Sequence, residues 1–124
     1  MPDLINPQEL EQKKIFLILA SSPMIRQRNI EIIRELSKLG YHTVVITTNF
    51  PYSILKKLYA QSNIPPENVS FIDAVTRNSI GSAEDVAGVV RYINNPANLT
   101  DMGIAVTEVL KEHSGQKVCI LYDS

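Results

Sequence analysis

Apolar runs that do not alternate with polar residues constrain this chain most. KKIFLILA ends at Ala20, YHTVVITT starts at Tyr41, and QKVCILYD ends at Asp123. A strand with one wet face alternates polar and apolar residues; a continuous run belongs to a strand covered on both faces, as in a parallel sheet. A fourth run, NVSFIDAV, is of modest length. Each run needs apolar cover above and below, and the segments between them supply it.

SSPMIRQRNIEIIRELSKLG reads as a helix. Ser22 can cap it, Pro23 suits the first helical position, Ile30, Ile33 and Leu36 recur at helical spacing, and Gly40 suits the left-handed stop. FPYSILKKLYAQ reads as a short helix with Pro51 near its start. NLTDMGIAVTEVLKEHSG reads as a third, with Asn98 as cap and Asp101 three residues on. Its buried stripe is Met102, Ala105, Val106, Val109 and Leu110. GVVRYINNP reads as a short strand that Asn-Asn-Pro ends abruptly. TRNSIGSAEDVA, Thr76 to Ala87, is small, polar and glycine-containing, and reads as the most mobile internal loop. Strands alternating with amphipathic helices give βαβ units, a mostly parallel sheet, and a three-layer α/β/α fold.

The chain has 124 residues, enough for one domain with a real core, at 44% hydrophobic and 20% charged. The organisation expected is a polar segment over residues 1–13 and a single α/β domain over 14–124. A net charge of −1 argues against nucleic acid as a partner. No apolar run approaches the roughly 20 residues that span a bilayer. The first residues lack a hydrophobic signal region, so the expected location is cytoplasmic. The single Cys119 sits in an apolar run and reads as a small buried hydrophobe. One Cys and two isolated His, His42 and His113, give no metal-ligand spacing.

The order of these elements, with words inside them, resembles the RecA/KaiC-like branch of P-loop ATPases. YHTVVITTNFPYSILKKLYAQSNI looks like that family's second strand and the helix after it. ENVSFIDAVT is similar to its Phe-Ile-Asp strand, and KVCILYDS looks like its Walker B strand. The nearest likeness is to archaeal members whose phosphate loop has been lost, in which NPANLTDMGIAV has counterparts. The resemblance implies a domain that is incomplete beyond the Walker B-like strand, because the family sheet continues with a strand lying between the Walker B and phosphate-loop strands.

A Walker A loop is G-x-x-x-x-G-K-[ST], whose glycines let backbone N–H groups wrap phosphates while the Lys neutralises charge. The corresponding stretch here, ASSPMIRQRN, has no Gly, and no Gly-Lys-Ser/Thr occurs anywhere. The family's Glu after the second strand is replaced by Asn49, an amide that cannot act as a general base. Of the catalytic parts only Asp123 survives, where a working enzyme would hold Mg²⁺.

Two readings stand for each residue. Ser21 and Ser22 are turn and cap residues, or phosphate ligands. Arg26 and Arg28 are solvated first-turn charges, or an anion clamp. Asp123 is structural, or a metal ligand at a strand's carboxyl end. No catalytic residue and no cofactor is expected, with weak ATP/Mg²⁺ binding at Ser21, Ser22, Arg26 and Asp123 as the alternative. The function expected is a non-hydrolysing regulatory or assembly module. Its partner would be a second copy or a related protein. Without the missing strand, KKIFLILA and QKVCILYD must pair with each other or recruit a second chain.

Overall fold

The computed structural model describes residues 15–20 and 26–123. The strands are β1 (Ile15–Ala20), β2 (Tyr41–Thr47), β3 (Val69–Asp73), β4 (Val90–Tyr92) and β5 (Lys117–Asp123). The helices are α1 (Arg26–Lys38), α2 (Tyr52–Gln61), α3 (Thr76–Ile80) and α4 (Leu99–Glu112), with a 3₁₀ turn at Pro66–Asn68. The five strands form one parallel sheet in the order β1-β5-β2-β3-β4.

Strand alternation splits the core into two layers. Val45, Phe71, Val90 and Leu121 face α1 and α2, packing on Ile30, Ile33, Leu55 and Tyr59. Val44, Ile46, Ile72 and Val118 face α4, packing on Ala105 and Val109, with Met102, Val106 and Leu110 partly buried beside them. The chain steps from β2 to β3 to β4 in one direction, then returns through α4 to β5. Right-handed crossovers therefore place α4 on the opposite face from α1 and α2. The α/β/α architecture with a mostly parallel sheet, expected from the unalternated runs, is found, and every strand pair in it is parallel.

β1 and β5 pair directly over their whole common length, Ile15 with Val118 through Ala20 with Asp123. β5 therefore has β1 on one side and β2 on the other. Of the two arrangements open to these strands, this one satisfies β5 within a single chain.

Asn98 caps α4 as expected: its Oδ1 accepts from Asp101 N at 3.1 Å, and its Nδ2 donates to Asp101 Oδ2 at 3.1 Å. The stretch from Thr76 to Ala87 departs from the loop expected. Thr76–Ile80 is helical, and Gly81 ends it at φ 83°. Residues beyond it are tied down. The Arg77 guanidinium donates to Ala83 O at 3.0 Å, Asp85 Oδ1 accepts from Tyr92 N at 2.8 Å, and Val86 bridges Val90. Composition hid this because the partners of Thr76, Asp85 and Val86, namely Asp73, Tyr92 and Val90, lie outside the segment.

Candidate functional site

Parallel register brings the carboxyl ends of all five strands into one row: Ala20, Asp123, Thr47, Asp73 and Tyr92. This edge is where α/β folds bind ligands. Thr47, Asp73 and Asp123 are all buried, with 0%, 0% and 4% of their surface exposed. All three share alternation with Val45, Phe71 and Leu121, so they face the α1 and α2 layer. Asp73 and Asp123 flank Thr47 on either side, so their Cα atoms are two strand spacings apart, roughly 9–10 Å.

The two carboxylates differ in what surrounds them. Asp73 Oδ2 accepts from Tyr52 N at 2.8 Å and Thr76 Oγ1 at 2.5 Å, while Oδ1 accepts from Val75 N at 2.7 Å and Thr76 N at 2.9 Å. Asp73 therefore ties the starts of α2 and α3 to the end of β3, and its lone pairs are spent on its own turns. Thr47 is likewise engaged, its hydroxyl donating to Phe50 O at 2.7 Å. Asp123 ends β5, and its carbonyl accepts from Thr48 N at 3.1 Å.

The sequence-predicted residues fare differently. Ser21 and Ser22 lie outside the described residues, as does Pro23. Arg26 opens α1. Arg28 is half-buried in the first turn. Asn49 sits exposed on the turn after β2. Asp123 is placed by register in the row. Asn29 on α1 is a residue that sequence reading passed over. It is 1% exposed, and its Oδ1 has no hydrogen-bond partner among the described residues. Ile33, one turn later on the same helical side, packs in the layer of Leu121 and Val45. α1 runs antiparallel to the strands, so one turn earlier places Asn29 near the level of Asp123 and Thr47. An amide oxygen and a carboxylate are hard ligands suited to Mg²⁺, which needs only one or two carboxylates when substrate phosphates complete its shell. Among the described residues no group of three His, Cys, Asp or Glu side chains is arranged to hold a metal by itself.

No family model and no solved structure matches this chain. The likeness to RecA/KaiC-like proteins therefore stands on the quoted sequence words. Among the described residues, no helix is long and apolar enough to cross a membrane.

Two further polar clusters lie on the other face of the sheet, toward α4. Arg91 on β4 binds Glu112 at 2.7 Å and Glu108 at 2.5 Å on α4, and Asp85 at 3.8 Å. Arg91, Asp85 and Glu108, together with Arg77 and Asp101, line a crevice of about 230 Å³. Its charges are largely consumed by one another.

At the amino edge, His42 and His113 come together although 71 residues separate them in the sequence. Their rings stack with centroids 3.7 Å apart, and both Nε2 atoms lie on Ser70 Oγ. Burial, then the neighbouring His113, pushes His42 down to about 4. Neither histidine is the isolated polar residue expected. Alternation along β2 and β3 puts His42 and Ser70 on one face, and that signal was available in the sequence. The Cys119 thiol has no exposed surface, and burial pushes it up to about 12, as befits a small hydrophobe.

Proposed function

We propose that this chain is a non-hydrolysing RecA/KaiC-like domain that works as a regulatory or assembly module. The observation that carries this reading is the state of the carboxyl row. Its best-built acid, Asp73, is saturated by four hydrogen bonds to the chain's own turns. The position after β2 where a base would activate water is Asn49, on an exposed turn. Asp123 remains, and a single carboxylate can help hold a cation without activating a nucleophile.

The alternative is a weak nucleotide or anion site built from Ser21, Ser22, Arg26 and Asp123, with Mg²⁺ supplied by the nucleotide. The buried Asn29 oxygen, which helix geometry sets near the level of Asp123, favours keeping it in view. Mg²⁺ would there neutralise phosphate charge, while Asp123 and Asn29 would contribute ligand oxygens. Titration calorimetry with Mg²⁺ and a non-hydrolysable ATP analogue separates the two readings. Heat that saturates in the wild type and is lost in Asp123→Ala supports the nucleotide site; no heat at millimolar nucleotide supports the module. As an assembly element the chain offers the outer edge of β1, which no described strand pairs. An unpaired strand edge is a ready template for a second copy.

A further inference from the structure

The two faces of the sheet are covered unevenly. α1 and α2 pack on one face; on the other, among the described residues, α4 packs alone. α4 lies over β2 and β3, where Ala105 and Val109 pack with Val44, Ile46 and Ile72. One flank of α4 turns toward β4, because Glu108 and Glu112 bind Arg91 there. The opposite flank therefore turns toward β5 and β1. On that side Ile120 and Tyr122 are only partly buried, although β5 has a strand on either side of it. Their register partners on β1 are Leu17 and Leu19. Two strand spacings make a strip about 10 Å wide, the diameter of one helix.

α4 is also unusual on its outer side. A helix that faces water carries charge there, as α1 does with Glu31, Arg34, Glu35 and Lys38. In α4 the residues turned away from the sheet are Thr100, Gly103, Ile104 and Thr107, with no charge on that side before Lys111. Leu99 is 81% exposed and Ile104 53%. The flank toward the strip reads Leu99, Gly103, Val106 and Leu110, at the alternating spacing of four and three that makes a coiled-coil seam. Gly103 lets a second helix approach that seam closely.

We propose that a second copy of this chain fills the strip. α4 of each copy lies on the strip of the other, and the two helices run parallel, side by side, about a two-fold axis along their length. This deepens the assembly reading and gives it a surface other than the β1 edge. Ridge and strip are both present on one copy, so the interface is self-complementary and closes as a dimer. Like residues meet across the axis, and the four on the seam carry no charge. Half the surface of a 14-residue helix, about 21 Å long, together with the strip, gives roughly 1,100 Å² over two copies. A specific interface needs about 1,000 Å². A net charge of −1 leaves little repulsion between copies.

Two measurements on the full chain test this together. Light scattering coupled to size exclusion should find the wild type dimeric and Ile104→Glu monomeric at the same concentration, with the far-ultraviolet circular dichroism spectrum unchanged. Leu99→Cys should give a dimer-sized band on a non-reducing gel after diamide treatment and lose it on reduction, because a disulfide needs Cα atoms within about 7 Å. Cys119 has no exposed surface, so the wild type is the control that does not cross-link. In a dimer paired only through β1 the two α4 helices stand more than about 20 Å apart. Ile104→Glu would then stay dimeric and Leu99→Cys would not cross-link, which overturns the α4 surface and leaves assembly standing. A wild type that is monomeric at every concentration, whether its strip is open or covered by the chain's own residues 1–13, overturns both. If only one of the two α4 results appears, the proposal also falls.

Discussion

Asp73→Asn tests how the carboxyl edge is built. The substitution keeps shape and removes only charge and one acceptor. The wild-type carboxylate receives three backbone N–H groups and one hydroxyl, at 2.5–2.9 Å. Asparagine can keep its oxygen toward Val75 N and Thr76 N, leaving its NH₂ toward Tyr52 N and Thr76 Oγ1. The Thr76 hydroxyl can turn and accept, but Tyr52 N–H then faces another donor. A donor left without its acceptor costs about 1–3 kcal/mol, and the bonds that remain lose charge assistance worth about 1 kcal/mol each. Relief of a buried charge offsets part of this, so the net loss is about 3 kcal/mol. For a domain of this size that lowers Tm by roughly 10 °C. The chain has no Trp, so urea unfolding should be followed by far-ultraviolet circular dichroism. Asp73→Ala should lose more, because all four donors lose their acceptor. Asp73→Asn within about 0.5 kcal/mol of wild type would refute the view that this carboxylate fastens α2 and α3 to the sheet.

Three other outcomes are expected. His42 has a folded value near 4 against 6.5 unfolded, so the unfolded chain binds the extra proton between those values and stability falls as pH drops from 6.5 to 4, by about 3 kcal/mol in total. Urea midpoints across that range should show this loss in wild type and not in His42→Gln; equal slopes in both would contradict it. Asn98→Ala removes the cap of α4 and should cost about 1 kcal/mol by thermal unfolding, with no change speaking against the cap. Light scattering coupled to size exclusion should show a dimer or larger species at micromolar concentration, and a peak fixed at 13.9 kDa would contradict assembly through the β1 edge.

The architecture was legible because burial on both faces leaves a direct mark on sequence. VVIT and VCIL carry no alternation, and each became a central strand with β5 between β1 and β2. The α4 cap was legible because Asn98 and Asp101 are local. What stayed hidden depends on residues brought together across the fold. Asp73 looked like one word of a family strand, yet its four donors come from Tyr52, Val75 and Thr76. Arg91 looked like an ordinary strand residue, yet it gathers Asp85, Glu108 and Glu112. The Thr76–Ile80 helix was missed because the carboxylate that receives its first N–H and the Thr76 hydroxyl belongs to Asp73, at the end of a strand. His42, Ser70 and His113 share no motif; alternation sets His42 and Ser70 on one face, but only the strand order and the return of α4 bring His113 over them. At the candidate site itself, Asp123 was legible as the residue ending a buried strand, while Asn29 was obscured among charged first-turn residues.

The central claim of the proposal is that this chain lacks the parts with which RecA/KaiC-like ATPases split a nucleotide. Phosphate release from ATP with Mg²⁺ tests it most directly, with wild type and Asp123→Ala purified side by side. The account predicts that both release phosphate at the rate of the buffer control, because Asn49 cannot serve as a base and no Gly-Lys-Ser/Thr loop exists to hold the phosphates. Turnover above that control that persists through purification and disappears in Asp123→Ala would contradict it.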